Sequence, residues 1–329
     1  MAFNTYYHDE LTWLRDMGRE YARAHPGTAD MLSEAGSDPD VERLLEGFAF
    51  VAGRLRQKLD DELPELTHAL IESLWPHYLR PVPAITMIQF EASRANDGEV
   101  RRIARGTPVD SAPVDGTRCR FQTIYPVELT PLRITGLALR STQPALLTLK
   151  CRLPDGMKAS QLPALGLRSL RLHCAGPMAI AAGLHVCLVR HCTAVTALAQ
   201  GRRVHLPPRC VRPVGFDPLD ALLGAAPASF AGFSLLREWF SFPNKFLFAD
   251  LCGLEVLGQL GDANEFTLEF ALDRVPDHLP QVSETNLLLG CTPAVNLFAH
   301  EATPITYDAR RTEFPVIPAG DDPTHYEIA

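Results

Sequence analysis

The sequence predicts an α+β fold, in which N-terminal amphipathic helices precede antiparallel β-sandwich-like domains with inserted helices. Before residue 84, apolar side chains recur every three or four positions, as along one face of an α-helix. From Ile85 onward, stretches of sequence alternate between apolar and polar residues, the period of a half-buried strand. Prolines and turn pairs such as Asp155-Gly156 keep these stretches short. This favours antiparallel sheets over a doubly wound parallel sheet.

The first predicted helix covers residues 7–24 and ends before Pro26, because proline lacks the amide hydrogen that a helix interior needs. Its apolar residues follow spacings of four, three, four and three, which is a short seam of coiled-coil type. The seam comprises Tyr7, Leu11, Leu14, Gly18 and Tyr21.

The second predicted helix begins at Asp38. Aspartate is a good N-cap, because its side chain accepts a hydrogen bond from a backbone amide that lacks a helical partner, and Pro39 suits the first helical position. The apolar residues that follow recur at spacings of three and four and therefore share one face. They are Val41, Leu44, Phe48, Val51, Leu55 and Leu59.

Pro64 is predicted to end this helix and to open a third one, since proline is tolerated in a first turn but not in a helix interior. In the third helix Leu66, Leu70 and Leu74 share a face, and Trp75-Pro76 ends it. Periodicity alone leaves open whether these apolar faces pack within the chain or against another chain.

The remainder of the chain is predicted to be rich in strands with helical insertions. Alternation predicts strands at residues 85–90, 147–153 and 266–272, and helical spacing predicts helices at 178–190, 217–223 and 229–240. The predicted domains are a helical, partner-binding region at 1–83, a first β-rich domain at 84–215 and a second α+β domain at 216–329.

Composition limits the classes of partner. The 329 residues include 31 basic and 39 acidic side chains, and the net charge of −8 is not the electrostatic signature of a protein that binds nucleic acid or an anionic membrane. No apolar run approaches the roughly 20 residues of a transmembrane helix, and no signal peptide is recognisable. We therefore expect a cytoplasmic protein that neither binds nucleic acid nor inserts into a membrane.

Cysteine and histidine residues are the candidate metal ligands in this sequence. Three histidines each lie next to, or two positions from, a cysteine, in the pairs His173-Cys174, His185-x-Cys187 and His191-Cys192. Zinc sites usually contain closely spaced pairs such as Cys-x-x-Cys, which this sequence lacks. We therefore expect the eight cysteines to be reduced, with no metal and no cofactor bound.

Catalytic motifs of the common hydrolases and nucleotide-binding enzymes are absent from the sequence. We therefore predict no catalytic residues. The alternative to a non-enzymatic protein is a carbohydrate-handling or hydrolytic β-sandwich enzyme. The segment around Lys245 places aromatic residues on both sides of a single cation. One lysine is a poor groove for nucleic acid, so Phe242, Phe246 and Phe248 are interpreted as core or interface anchors.

Four segments, taken together, resemble a known family. They are YYHDELTWLRDMG from Tyr6, VERLLEGFAFVAGRLRQKLDDELPELTHALIESLWPHYLRPVPA from Val41, FPNKFLFADLCGLE from Phe242 and CTPAVNLFAHEATPI from Cys291. In content and order they resemble TssF (also called ImpG or VasA), a baseplate subunit of the type VI secretion system. The family's chains are roughly twice as long, so the resemblance covers their N-terminal half.

The resemblance implies a structural role without catalysis, in a contractile injection system whose baseplate docks at the inner-membrane complex. It implies that the N-terminal helices form a bundle with TssG, and that a second TssF copy and, through the baseplate, TssE, TssK and VgrG are further partners. The expected partner-binding residues are Tyr7, Leu11, Leu14, Val41, Leu44, Phe48, Val51, Leu55 and Leu59.

Overall fold

A computed structural model describes residues 3–28, 38–75, 78–91, 100–114, 116, 118–223, 230–277, 279–310 and 312–319. The chain forms two compact units, which are called here the helical unit (Met1–Leu79) and the body (Arg80–Ala329). The helical unit contains helices, and the body contains antiparallel sheets with inserted helices. The predicted α+β class is thereby confirmed. The three domains predicted at 1–83, 84–215 and 216–329 stay a prediction.

The helical unit contains α1 (Phe3–Ala24), a 3-10 turn (Pro26–Thr28) and α2 (Pro39–Leu74). The predicted cap of α2 is confirmed, because the Asp38 side chain accepts a hydrogen bond of 2.9 Å from the backbone amide of Asp40. Asp40 and Glu42 in the first turn face the positive end of the helix dipole.

Helix α2 continues through the position of Pro64, so the prediction of two helices meeting there was wrong. An interior proline costs a helix one hydrogen bond and some steric strain, in total about 3 kcal/mol. Good helix formers on both sides, including Lys58 and Leu59 before it and Leu66 after it, favour continuation.

Helices α1 and α2 pack in an antiparallel hairpin. Gly53 of α2 lies against the backbone of Tyr6 and Tyr7 near the start of α1, whereas Arg15, further along α1, pairs with Glu42 in the first turn of α2. The buried side chains of the hairpin are Tyr6, Leu11, Ala22 and Ala49. Small residues at the contact allow the two backbones to approach closely.

The strands of the body follow the predicted alternation. Their bounds are β1 Ile85–Gln89, β2 Arg101–Ile103, β3 Pro108–Asp110, β4 Arg120–Thr123, β5 Val127–Leu129, β6 Arg133–Arg140, β7 Ala145–Arg152, β8 Ser169–Cys174, β9 Cys192–Ala199, β10 Arg202–His205, β11 Val211–Val214, β12 Phe248–Cys252, β13 Glu265–Leu272, β14 Leu287–Leu288 and β15 Cys291–Val295. In the described residues they pair as β1-β15-β4-β3 (the first sheet), β10-β9-β13-β7-β6 (the five-stranded sheet), β11-β12-β8-β14 (the central sheet) and β2-β5, and every pair is antiparallel.

Apolar cores cover both faces of the central sheet. On one face, Leu172 and Leu251 join a core that includes Leu149 and Phe270 of the five-stranded sheet. On the other face, Phe248 joins a second core. The sheets are therefore layered face to face, as the sandwich-like prediction requires.

The second core connects the central sheet to the first sheet. It contains Tyr125, Phe248 and Val295, with Met87 of β1 packed against it. The rings of Tyr125 and Phe248 meet edge to face, with centroids 5.2 Å apart.

Two helices are inserted among the strands, α3 (Met178–Val189) and α4 (Ala231–Ser241), close to the predicted positions. The helix predicted at 217–223 was wrong in extent, since only the short 3-10 turn Pro218–Asp220 forms there. Asp217 caps this turn by accepting a hydrogen bond from Leu219, and Asp220 accepts one from the amide of Gly215. These local bonds compete with a longer helix.

Stability should depend on pH through His173. Its ring is buried and stacks on Phe248 with centroids 4.4 Å apart, and burial lowers the pKa of His173 from 6.5 to about 4. As pH falls from about 6.5 to 4, the unfolded chain takes up a proton that the folded chain excludes, so stability present above pH 6.5 is lost, by about 3 kcal/mol. Urea unfolding across this range measures the loss. His173→Phe, which retains an aromatic ring, should flatten the profile, and an unchanged profile would contradict the assignment.

Candidate interaction surface

Five of the six apolar residues predicted to share one face of the second helix are exposed at the surface. The surface defined here as the α2 stripe comprises Leu44, Phe48, Val51, Leu55, Leu59, Leu66, Leu70 and Leu74, whose exposed fractions run from 54% to 75%. Helix α1 does not cover them, because it packs against a different face of α2 that contains Ala49 and Gly53. A row of eight large apolar side chains is left open to a partner.

The other predicted partner-binding residues are placed differently. Tyr7, Leu14 and Val41 are half-buried, and Leu11 is buried in the hairpin of α1 and α2. Their role in partner binding stays a prediction, as does that of the five predicted residues in the α2 stripe.

The structure extends the candidate surface beyond the set expected from the sequence. Because α2 is a single helix, Leu66, Leu70 and Leu74 continue the row that ends at Leu59 in the sequence-based prediction. The spacing of seven residues from Leu59 to Leu66 was the available signal, since it returns to the same face after two turns. Because the sequence predicts that the helix ends at Pro64, this continuity was not expected.

Helix α1 carries a second exposed row that sequence reasoning missed. Trp13, Met17 and Tyr21 recur every fourth residue, and each is about half exposed. The sequence predicts Tyr21 in the packing seam, but in the structure its ring stacks on His25, with ring centroids 4.1 Å apart. The seam uses the smaller Ala22 in its place.

Gly53 should control the hairpin that presents the α2 stripe. A Cβ atom added at this position would lie 3.2 Å from the backbone nitrogen of Tyr7 and 3.3 Å from the carbonyl carbon of Tyr6, and backbone atoms cannot easily move away. Gly53→Ala should therefore destabilise the helical unit by about 1–3 kcal/mol through overpacking. Hydrogen exchange of the α1 amides measures this.

Gly47 provides the matched control, because a Cβ added there meets nothing within 4 Å. Gly47→Ala should stabilise α2 by about 1 kcal/mol through helix propensity. If both substitutions slow exchange equally, the close approach at Gly53 does not constrain the hairpin.

In the body, the family-like segment FPNKFLF is built around a buried ion pair. Lys245 is wholly buried, and its Nζ atom bonds Oε2 of Glu238, which is itself 1% exposed. The second carboxylate oxygen accepts hydrogen bonds from the backbone amides of Leu222, at 2.8 Å, and Leu223, at 3.3 Å. The pair fixes α4, where Glu238 lies, to the segment that follows it. Sequence reasoning did not find Glu238.

The segment containing Lys245 also contacts the family-like segment CTPAVNLF through Tyr125. The hydroxyl of Tyr125 donates to the carbonyl of Lys245 at 3.0 Å, and its backbone amide donates to Oγ1 of Thr292 at 2.9 Å. Gly215 leaves room for the hydroxyl, since an added Cβ would lie 2.8 Å from it. Two segments with the family's pattern therefore meet in the second core. Phe246 and Phe248, which the sequence predicts to be core or interface anchors, are core residues.

The candidate metal ligands are used for packing and for local hydrogen bonds. His185 Nε2 lies 3.2 Å from the carbonyl of Phe248, and His191 Nδ1 lies 2.8 Å from Asp273. Burial raises the pKa of Cys192 to about 12, the opposite of what a nucleophilic thiol needs. All eight cysteines are free thiols. Within the described ranges no three His, Cys, Asp or Glu side chains converge as metal ligands would, and no helix is both long and apolar enough to cross a bilayer.

Comparison with known proteins places these features in context. A family model described as "Type VI secretion system, TssF" matches residues 1–329. The type VI secretion system component TssF1 of Pseudomonas aeruginosa is 33% identical over 346 aligned residues, which cover 98% of this chain and 56% of the relative.

Solved structures give a similar result. A TssK-TssF-TssG baseplate subcomplex, determined by cryo-electron microscopy, contains a chain that is 33% identical with a TM-score of 0.67, over 82% of this chain and 51% of that one. A chain of a type VI secretion system baseplate complex is 28% identical with a TM-score of 0.46, over 94% and 54%. This chain spans about half the length of the relatives it matches.

Proposed function

Because the chain belongs to the TssF family of the type VI secretion system, we propose that it is a structural subunit of that system's baseplate, which anchors the contractile sheath and spike. The observation that carries the proposal is the α2 stripe, eight exposed apolar side chains on one helix. Leaving such a row in water costs about 25 cal/mol for each Å² of apolar surface. A partner helix would remove that cost.

The proposed occupant of the α2 stripe is a helix of TssG. The similar chain of known structure belongs to a TssK-TssF-TssG subcomplex, so TssK is proposed as a second partner. A second copy of the chain, TssE and VgrG complete the proposed set, reached through the assembled baseplate. The proposed location is the cytoplasmic side of the inner membrane.

A non-enzymatic role is part of the proposal. The alternative, a carbohydrate-handling or hydrolytic enzyme, calls for carboxylates or a nucleophile and its base converging on a cavity. His191 pairs with Asp273 at the surface, and the neighbouring Cys192 thiol is held neutral by burial. Glu238 forms an ion pair with Lys245 in the interior and is therefore not available to a substrate. These groups favour packing over catalysis.

The proposal is tested by co-expressing the chain with the TssG and TssK subunits of its own secretion system and measuring assembly by size-exclusion chromatography with light scattering. We expect a stable complex containing TssG, with TssK joining through it or beside it. The chain eluting alone in the presence of both soluble subunits would contradict the proposed function.

A further inference from the structure

Helix α4 of the body presents a second apolar face that the α2 stripe does not explain. Leu236, Trp239 and Phe240 are exposed by 52%, 46% and 83%. Their spacings of three and four place them on one side of the helix. Glu238 lies on the opposite side, buried against Lys245. The helix therefore has its polar carboxylate inside and its largest apolar side chains outside, the reverse of ordinary amphipathicity.

Trp239 of this face is supported from beneath. The ring of Trp239 lies 5.5 Å from that of the buried Phe246, and Phe216, half exposed, lies 5.1 Å from the same ring. The buried pair of Glu238 and Lys245 fixes the opposite side of the helix. Aromatic side chains held in place in this way lose little conformational freedom on binding, and such residues dominate the energy of protein interfaces.

Two cations border the apolar face. Arg237 donates hydrogen bonds to the backbone carbonyls of Arg80, at 2.7 Å, and Pro81, at 3.1 Å. These bonds hold the guanidinium against the backbone of Arg80, and partial burial together with the Arg80 charge lowers the pKa of Arg237. In the described part of the chain the acceptors of Arg237 are carbonyl oxygens, and the adjacent carboxylate of Glu238 is turned inward to Lys245. The positive charge at this edge is therefore not balanced by a bonded carboxylate.

We propose that Leu236, Arg237, Trp239 and Phe240, with Arg80 beside them, form a docking surface for an acidic amphipathic helix of another protein subunit. Apolar side chains of that helix cover Phe240 and Leu236, and one of its carboxylates lies between the two guanidinium groups. A carboxylate there relieves the repulsion of two cations, so it contributes to specificity as well as affinity. The surface belongs to the body and is independent of the α2 stripe.

Labelled peptides test this surface directly. One peptide is an amphipathic helix of two heptads with leucine on one side and glutamate flanking it, and the other has glutamine in place of each glutamate. Fluorescence anisotropy with the full chain should show the glutamate peptide binding on the order of tenfold more tightly, and this preference should fade as salt is raised. Equal binding of the two peptides, or binding of neither, would overturn the proposal.

Variants then locate the binding. Arg80→Met should abolish the preference for glutamate while leaving the glutamine peptide's affinity unchanged, because Arg80 is exposed and its side chain can be replaced without loss of packing. Arg133→Met, which removes an exposed arginine of β6, should not. Phe240→Ala should weaken both peptides by on the order of tenfold. If Arg80→Met and Arg133→Met behave alike, the cations at α4 do not select the ligand.

A second copy of the chain is the competing occupant. Sedimentation equilibrium of the unmodified chain and of Phe240→Asp separates the two. A monomer in both cases agrees with the proposal, whereas a dimer that Phe240→Asp dissociates would assign the face to self-association and overturn it.

Discussion

Replacing Phe48 by aspartate is expected to abolish co-purification with TssG while leaving the unfolding of the chain nearly unchanged. Phe48 lies in the middle of the α2 stripe and is 63% exposed, so a charge there remains hydrated in the isolated chain. Covered by a partner helix, the same carboxylate would be buried without a counter-ion, at a cost of about 3–5 kcal/mol. That cost lowers affinity by a factor of roughly 150 to 5,000.

The matched control is Phe50→Asp. Phe50 is also about half exposed, but it lies two residues further along α2 and therefore about 200° around the helix from Phe48. It introduces the same charge into the same helix outside the stripe and should leave binding within about threefold of the original chain. Pull-down and titration with TssG, together with thermal unfolding, measure both effects. Loss of binding by both variants, or unfolding of Phe48→Asp alone, would show that the stripe is not a specific partner surface.

The parts of the fold that depend on short stretches of sequence were predictable. Asp38 caps α2 because its side chain reaches an amide only two residues away, and no distant contact is needed. Strand β13 was recognisable because Phe266 and its inward-facing neighbours alternate with polar residues, as burial on one face requires.

The parts that depend on distant contacts were not predictable. Whether α2 continues through Pro64 depends on a balance of a few kcal/mol between the proline defect and the turns on either side. The importance of Gly53 appears only once α1 is known to pass within van der Waals distance of it. Periodicity located the α2 stripe, but it could not decide between the chain's own core and an external partner, because both require the same apolar spacing.

The burial of Lys245 is the clearest example of a contact that the sequence could not predict. A lysine between aromatic residues has the same local sequence whether it is exposed or buried, and its partner Glu238 lies in a preceding helix with no pattern connecting the two. Only the fold shows that this carboxylate accepts hydrogen bonds from the lysine and from the amides of Leu222 and Leu223. The pair joins α4 to the second core, so its removal should affect the whole body.

Lys245→Met is expected to destabilise the body by about 3–5 kcal/mol, because it leaves the carboxylate of Glu238 buried without its cation. Adding Glu238→Gln should recover much of this loss. The neutral amide can still accept a hydrogen bond from the Leu222 backbone amide, and no unpaired charge remains in the interior.

Urea unfolding of the two single variants and the double variant gives the coupling energy, which should exceed about 2 kcal/mol. Lys158→Met is the control, since Lys158 bonds Asp262 on the exposed surface, and its loss should change stability little. Losses that simply add in the double variant would mean that the two groups act independently, and the FPNKF segment would then be held to α4 by apolar packing alone.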